Sequence, residues 1–160
     1  MQRILVICVG KLKERFYIDA AAEYAKRLSR YCRLELMELP EVRLPEDPAP
    51  AQIEQALSRE AEVIRGKLPP SSAVVALCVE GQLHSSEELA RWMESWNSRG
   101  GKCLAFVIGG SYGLHDSIKT LAQIRLSMSP MTFPHHLARV MLLEQLYRSF
   151  QINEGGRYHK

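Results

Sequence analysis

Short apolar runs alternate with helical stripes along the whole chain, and no other feature restricts its fold as much. Arg3–Val9 is an apolar run ended by Gly10. Tyr17, Ala20, Ala21, Tyr24, Leu28 and Tyr31 then recur at helical spacing within Glu14–Tyr31. Leu34–Leu39 reads as a strand stopped by Pro40, and Pro40, Pro45, Pro48 and Pro50 mark a loop. Ile53, Leu57, Ala61, Ile64 and Leu68 form a second stripe. Ala73–Val79 is a continuous apolar run, as in strands buried on both faces. Ser85 and Glu88 offer a capping box ahead of Leu89, Trp92, Met93 and Trp96. Leu104–Ile108 is another strand, Ser117–Ala122 a short helix, and Ile124, Leu126 and Met128 alternate as a fifth strand. Pro134 opens a last helix as a first-turn proline.

Five strands alternating with five helices predict an α/β fold in one domain over residues 1–160, a mainly parallel sheet flanked by helices. Ligands of such sheets sit beyond the carboxyl ends of the strands. Three loops are therefore candidates: Glu80-Gly81, Gly109–Leu114 and Ser129–Phe133. The apolar start, Ile4–Val9, is too short for a signal peptide, and no small-residue cleavage site follows it. No apolar run has the length of a membrane span.

Charge is unevenly spread. Residues 1–34 carry eight Lys/Arg and three Asp/Glu, residues 35–96 five and twelve, and residues 97–160 eight and three. Both outer thirds are basic, so a fold that joins them would present a positive face suited to a polyanion. Cys8, Cys32, Cys78 and Cys103 are widely spaced with no C-x-x-C, which points to reduced thiols in a reducing cytoplasm. The five histidines lack metal-ligand spacing, so no metal site is expected.

Gly109-Gly110-Ser111-Tyr112-Gly113 fits the G-x-S-x-G nucleophile elbow, with Asp116 and a later histidine in triad order. Asp116 is, however, only five residues beyond Ser111, and a triad acid normally comes from a later strand. A strand-to-helix turn that needs glycine conformations explains the same residues. On the last helix, His135 and Arg139 share a face, as do Glu144 and Arg148. Glu154-Gly155-Gly156 breaks that helix before Arg157-Tyr158-His159-Lys160.

Several stretches, taken together, carry a family resemblance. They are Val9-Gly10-Lys11-Leu12-Lys13, Tyr24-Ala25-Lys26-Arg27-Leu28, and Phe106–Ser111 with Gly113-Leu114. Most specific are Met131-Thr132-Phe133-Pro134-His135, Arg139, Glu144-Gln145-Leu146-Tyr147-Arg148 and Tyr158-His159-Lys160. Over essentially its whole length the chain resembles the RlmH family of the SPOUT superfamily. That resemblance implies an S-adenosylmethionine-dependent methyltransferase acting on N3 of a pseudouridine in helix 69 of 23S ribosomal RNA; a chain this small has little surface for reading RNA alone, which points to an assembled ribosome as the target. The resemblance also implies a homodimer and a deep trefoil knot in the C-terminal part, an exception to the rule that chains are unknotted.

Carried over residue by residue, the cofactor pocket uses Leu77, Gly109, Gly110 and the loop of Met128, Ser129, Pro130, Met131, Thr132 and Phe133. Arg148, Tyr158 and His159 are the implied catalytic residues: Arg148 supplies positive charge, and Tyr158 and His159 orient the base edge. Lys11, Lys13, His135, Arg139, Arg157 and Lys160 would meet RNA phosphates. The glycine pair reads as a hinge that turns Tyr158 and His159 toward a pocket, that of the partner subunit in a dimer. Tyr112 and Ser149 depart from the family, which more often has Asn or Glu, and Ala, there. The residues alone leave two other functions open: a serine hydrolase built on Ser111, and a non-catalytic ribosome-associated RNA-binding protein.

Overall fold

The apolar runs pair side by side into one sheet in which every neighbour is parallel. The computed structural model describes residues 1–160. The elements are β1 (Gln2–Val9), α1 (Arg15–Leu28), β2 (Cys32–Leu39), α2 (Pro50–Lys67), β3 (Ala73–Leu83), α3 (Ser86–Ser98), β4 (Cys103–Ile108), α4 (Asp116–Leu121), β5 (Ile124–Ser127) and α5 (His135–Asn153). The sheet order is β2-β1-β4-β3-β5.

Strand alternation divides the core in two. Ile4, Val6, Cys8, Leu104, Phe106 and Ile108 pack against α1, α3 and α5 on one face. Leu5, Ile7, Val9, Ala105 and Val107 pack against α2 and α4 on the other. Both central strands are thus buried on both faces, which is why they read as unbroken apolar runs. The crossovers β1–β2 and β3–β4 run one way along the sheet over the first face. Those of β2–β3 and β4–β5 run the other way over the second, so all four share one hand.

Local chemistry fixes the element ends. Ser85 accepts the Glu88 N–H at 3.1 Å while the Glu88 carboxylate accepts the Ser85 N–H at 2.7 Å, so the expected capping box starts α3. Such a cap stabilises by about 1 kcal/mol. Pro134 is a correction: it is the N-cap of α5, with ψ of 139°, and not its first helical residue. Its carbonyl accepts the first helical bond, from Ala138 N–H at 2.9 Å. β3 is longer than its apolar run. Leu77 and Gln82 both register with Leu126, so residues 78–81 bulge out and the strand resumes to Leu83. Gly81 permits this because a Cβ there would lie 2.6 Å from the Arg125 carbonyl oxygen.

Candidate active site

A cavity of about 750 Å³ opens at the carboxyl ends of β3, β4 and β5. All three loops chosen from the sequence contribute. Leu77 and the bulge residue Glu80 come from β3, and the Gly109–Leu114 turn follows β4. Met128, Ser129, Met131, Thr132 and Phe133 come from the loop before α5. Pro130 alone of the predicted cofactor set is outside the lining. Ser127 Oγ donates to the Ser129 carbonyl and Met131 N–H to Ser129 Oγ, both at 3.0 Å, and Pro130 is exposed.

The glycine turn is tight. A Cβ on Gly109 would lie 2.3 Å from the Gly113 carbonyl oxygen, and Gly113 itself has φ of +81°. The Ser111 hydroxyl makes no bond to histidine or carboxylate: the nearby His115 bonds Glu54 and Ser117 instead. The structure does not build a hydrolase triad at Ser111. One charged residue of the cavity, and its pairing with Glu80, went unnoticed in the sequence. Lys119 of α4 pairs with Glu80 at the rim, and this hydrogen bond holds the Glu80 carboxyl below the usual carboxylate range. Only the fold joins them, since they are 39 residues apart. The cavity lies within the roughly 300–1,000 Å³ usual for small ligands. Apolar walls flanked by backbone edges and one ion pair fit a flat heterocycle carrying a short charged chain, as S-adenosylmethionine is.

The predicted catalytic residues form a separate cluster on α5. Arg148 Nη2 donates to Glu144 Oε1 at 2.7 Å, and the Tyr158 hydroxyl donates to the same oxygen at 2.9 Å. Arg148 Nη1 lies 3.1 Å from His159 Nδ1, and His159 Nε2 lies 2.8 Å from Glu87 of α3. The guanidinium also stacks over the Tyr158 ring at 4.7 Å. Burial, reinforced by the Glu144 carboxylate, pushes the Tyr158 phenol up to about 12, so it stays a proton donor at neutral pH. Glu144 raises Arg148 through its hydrogen bond. None of the three lines the cavity, whose last α5 residue is Ala138. Arg148 lies ten positions beyond Ala138 on the helix, about 15 Å.

The tail is placed by a fixed cap, which corrects the reading of the glycine pair as a hinge. Gly156 N–H bonds the Gln151 carbonyl at 2.8 Å and Gly155 N–H the Ile152 carbonyl at 3.1 Å. With Gly155 at φ of +69°, this is a Schellman motif.

The basic residues divide. Lys11, Lys13, Arg157 and Lys160 are exposed and make no ion pair. His135 is half-buried at the cavity edge, where burial, then His136 and Arg139, lower its pKa. Arg139 is a correction, because its side chain is 5% exposed. It donates to Glu38 at 2.6 Å and to the Gly10 carbonyl at 3.1 Å, so it ties α5 to β1 and β2 instead of facing phosphate. The outer thirds of the chain do meet, because α1 and α5 pack together. No helix is long and apolar enough to cross a membrane.

A parallel sheet whose strand ends enclose a cavity behind a glycine turn defines an α/β protein with a site for a small ligand. The family described as "Predicted SPOUT methyltransferase" matches residues 2–159. The chain is 46% identical over 158 residues to "Ribosomal RNA large subunit methyltransferase H" of Acetivibrio thermocellus, covering 99% of both. It is 45% identical over 157 residues to the protein of that name from Clostridioides difficile, covering 98% of this chain and 99% of that one. A solved structure, a probable methyltransferase from Bordetella pertussis, shares the fold with a TM-score of 0.57 at 17% identity, covering 93% of this chain and 96% of that one. The chain belongs to the SPOUT methyltransferase family, in the group of ribosomal RNA large subunit methyltransferase H.

Proposed function

We infer that this protein transfers a methyl group from S-adenosylmethionine to large-subunit ribosomal RNA, and that the acceptor is N3 of a pseudouridine in helix 69 of 23S RNA, on an assembled ribosome in the cytoplasm. The observation that carries the methyl transfer to large-subunit RNA is the near-complete match to relatives named ribosomal RNA large subunit methyltransferase H, and the choice of acceptor rests on the family resemblance. The cavity supports it, since eight of the nine residues carried over for the cofactor line one space.

The cofactor supplies an electrophilic methyl group. In the transfer that donor would allow, N3 would take the methyl as its bond to sulfur breaks, and the N3 proton would pass to solvent water. Leu77, the Gly109–Gly113 turn and the Met128–Phe133 loop hold the donor and exclude water from it. Arg148 stabilises the charge that develops on the base. The Tyr158 hydroxyl, whose proton goes to Glu144, presents its oxygen as an acceptor and so orients the base edge with His159. Lys11, Lys13, Arg157 and Lys160 contact phosphates, so RNA affinity should fall steeply as salt rises; a flat response would count against that surface.

The distance between tail and cavity within one chain supports a homodimer in which each tail completes the partner's site. Leu137, Met141, Glu144 and Arg148 recur every three or four residues on α5 and are all partly exposed. In an antiparallel pairing of two such helices, the tail end of one lies beside the cavity end of the other. The family's knot is part of this reading. It is supported by α5, which starts beyond the edge strand β5 and returns to pack against α1 and α3.

The test is transfer of labelled methyl from S-adenosylmethionine to ribosomes lacking the mark, then mapping of the modified nucleotide. Label at another nucleotide would overturn the proposed acceptor. No label on ribosomes, subunits or free 23S RNA would overturn the function.

A further inference from the structure

The segment between β2 and α2 crosses the carboxyl edge of the sheet and reaches the glycine turn. There the Glu41 carboxylate accepts the Ser111 N–H at 3.0 Å, across 70 residues of sequence. That N–H makes no backbone hydrogen bond. The same carboxylate lies against Gly110, where a Cβ would be 2.6 Å from Glu41 Oε1. It also approaches Gly10 beside His135: Glu41 Oε2 and His135 Nε2 would each lie 3.7 Å from a Cβ on Gly10. The segment is itself anchored. Val42 donates its N–H at 2.8 Å to Glu60 of α2, and Glu60 is buried. α2 therefore holds Val42, and the adjacent Glu41 holds the turn that walls the cavity.

We propose that Glu41 is a positioning residue for the methyl transfer: its carboxylate fixes the Gly109–Gly113 turn in the shape that receives S-adenosylmethionine. This rests on reading the cavity as the cofactor pocket. The role depends on an acceptor that reaches Ser111. Gln keeps the acceptor and the length, Asp keeps the charge but loses reach, and Ala loses both.

Cofactor binding by calorimetry and steady-state methylation of ribosomes test it together. Glu41→Ala and Glu41→Asp should each raise the cofactor Kd and KM about tenfold, with kcat at saturation within about twofold of wild type. Glu41→Gln should restore both constants to within about threefold. If Glu41→Ala does not fold, Glu41→Asp carries the same expectation. Hydrogen exchange at the Ser111 amide should quicken in the Ala and Asp variants and stay slow in the Gln variant. Unchanged cofactor binding in the Asp variant, or a Gln variant as weak as Asp, would overturn the role of Glu41. Wild-type protein that binds no cofactor would overturn the reading of the cavity itself, and this role with it.

Discussion

At the scale of single residues, Arg139 shows how surroundings decide what a charge does. Its guanidinium joins three segments through Glu38 and the Gly10 carbonyl, while its buried Nε has no partner. Glu38 is 38% exposed, so after loss of the arginine it can recover water. Arg139→Met should therefore cost about 1–3 kcal/mol in urea unfolding, less than a fully buried pair. Burial works to raise the Glu38 pKa, but Arg139 and the Leu12 N–H outweigh it and hold the carboxyl low. A depressed folded value means that the stabilisation is complete above the ordinary value of 4.5 and is lost as pH falls through the lower, folded value. The stability gap between wild type and Arg139→Met should accordingly narrow in acid, and a gap constant down to pH 3 would contradict the pairing. Helical spacing put Arg139 on a face with His135 but could not say that this face turns inward. Its partner is 101 residues away. Glu41 escaped notice for the same reason: nothing near it in sequence marks it as more than one acid in an acidic, proline-rich stretch.

Among the elements, α5 and its cap do most to define the site. The Schellman cap sends the tail back along the helix, where Tyr158 bonds Glu144 and packs against Tyr147, ring to ring at 4.9 Å. Gly155→Ala places a side chain at φ of +69° and should lower stability by about 1 kcal/mol. Methyl transfer should fall further than that small loss explains, because the tail leaves its track; an activity loss that merely follows the unfolded fraction would rule this out. Deletion of Arg157–Lys160 separates the roles more cleanly. The deleted residues lie outside both apolar clusters and outside the cavity lining. Melting temperature and cofactor affinity should stay near wild type while methyl transfer to ribosomes is abolished. The elements themselves were legible, since each strand and helix lies within a few residues of its apolar pattern. The bulge of β3 was not, because Glu80 and Gly81 read as the loop beyond a strand that stops at Val79. They are instead a detour that supplies one wall of the cavity.

For the whole molecule, the decisive question is where the two halves of the site meet. Strand ends revealed the cavity in the sequence, since ligand placement in parallel sheets follows from topology. The separation of Arg148, Tyr158 and His159 from that cavity emerged only in three dimensions. Local spacing cannot reveal that a helix carries its chemistry about two to three turns beyond its own pocket. If each tail serves the partner's cavity, two inactive chains should rescue each other. One chain lacks Arg157–Lys160 but keeps its cavity. The other carries Gly110→Trp, which fills the cavity mouth, and keeps its tail. Each homodimer has no complete site. A mixed dimer has one, formed by the first chain's cavity and the second chain's tail. Random pairing of equal amounts makes half of the dimers mixed, so methyl transfer should recover to about a quarter of wild type. Were each tail to serve its own cavity, the mixed dimer would be as inactive as its parents. Purified mixed dimers, tagged differently on the two chains, decide between these arrangements: one working site per dimer supports the exchange of tails, and none excludes it.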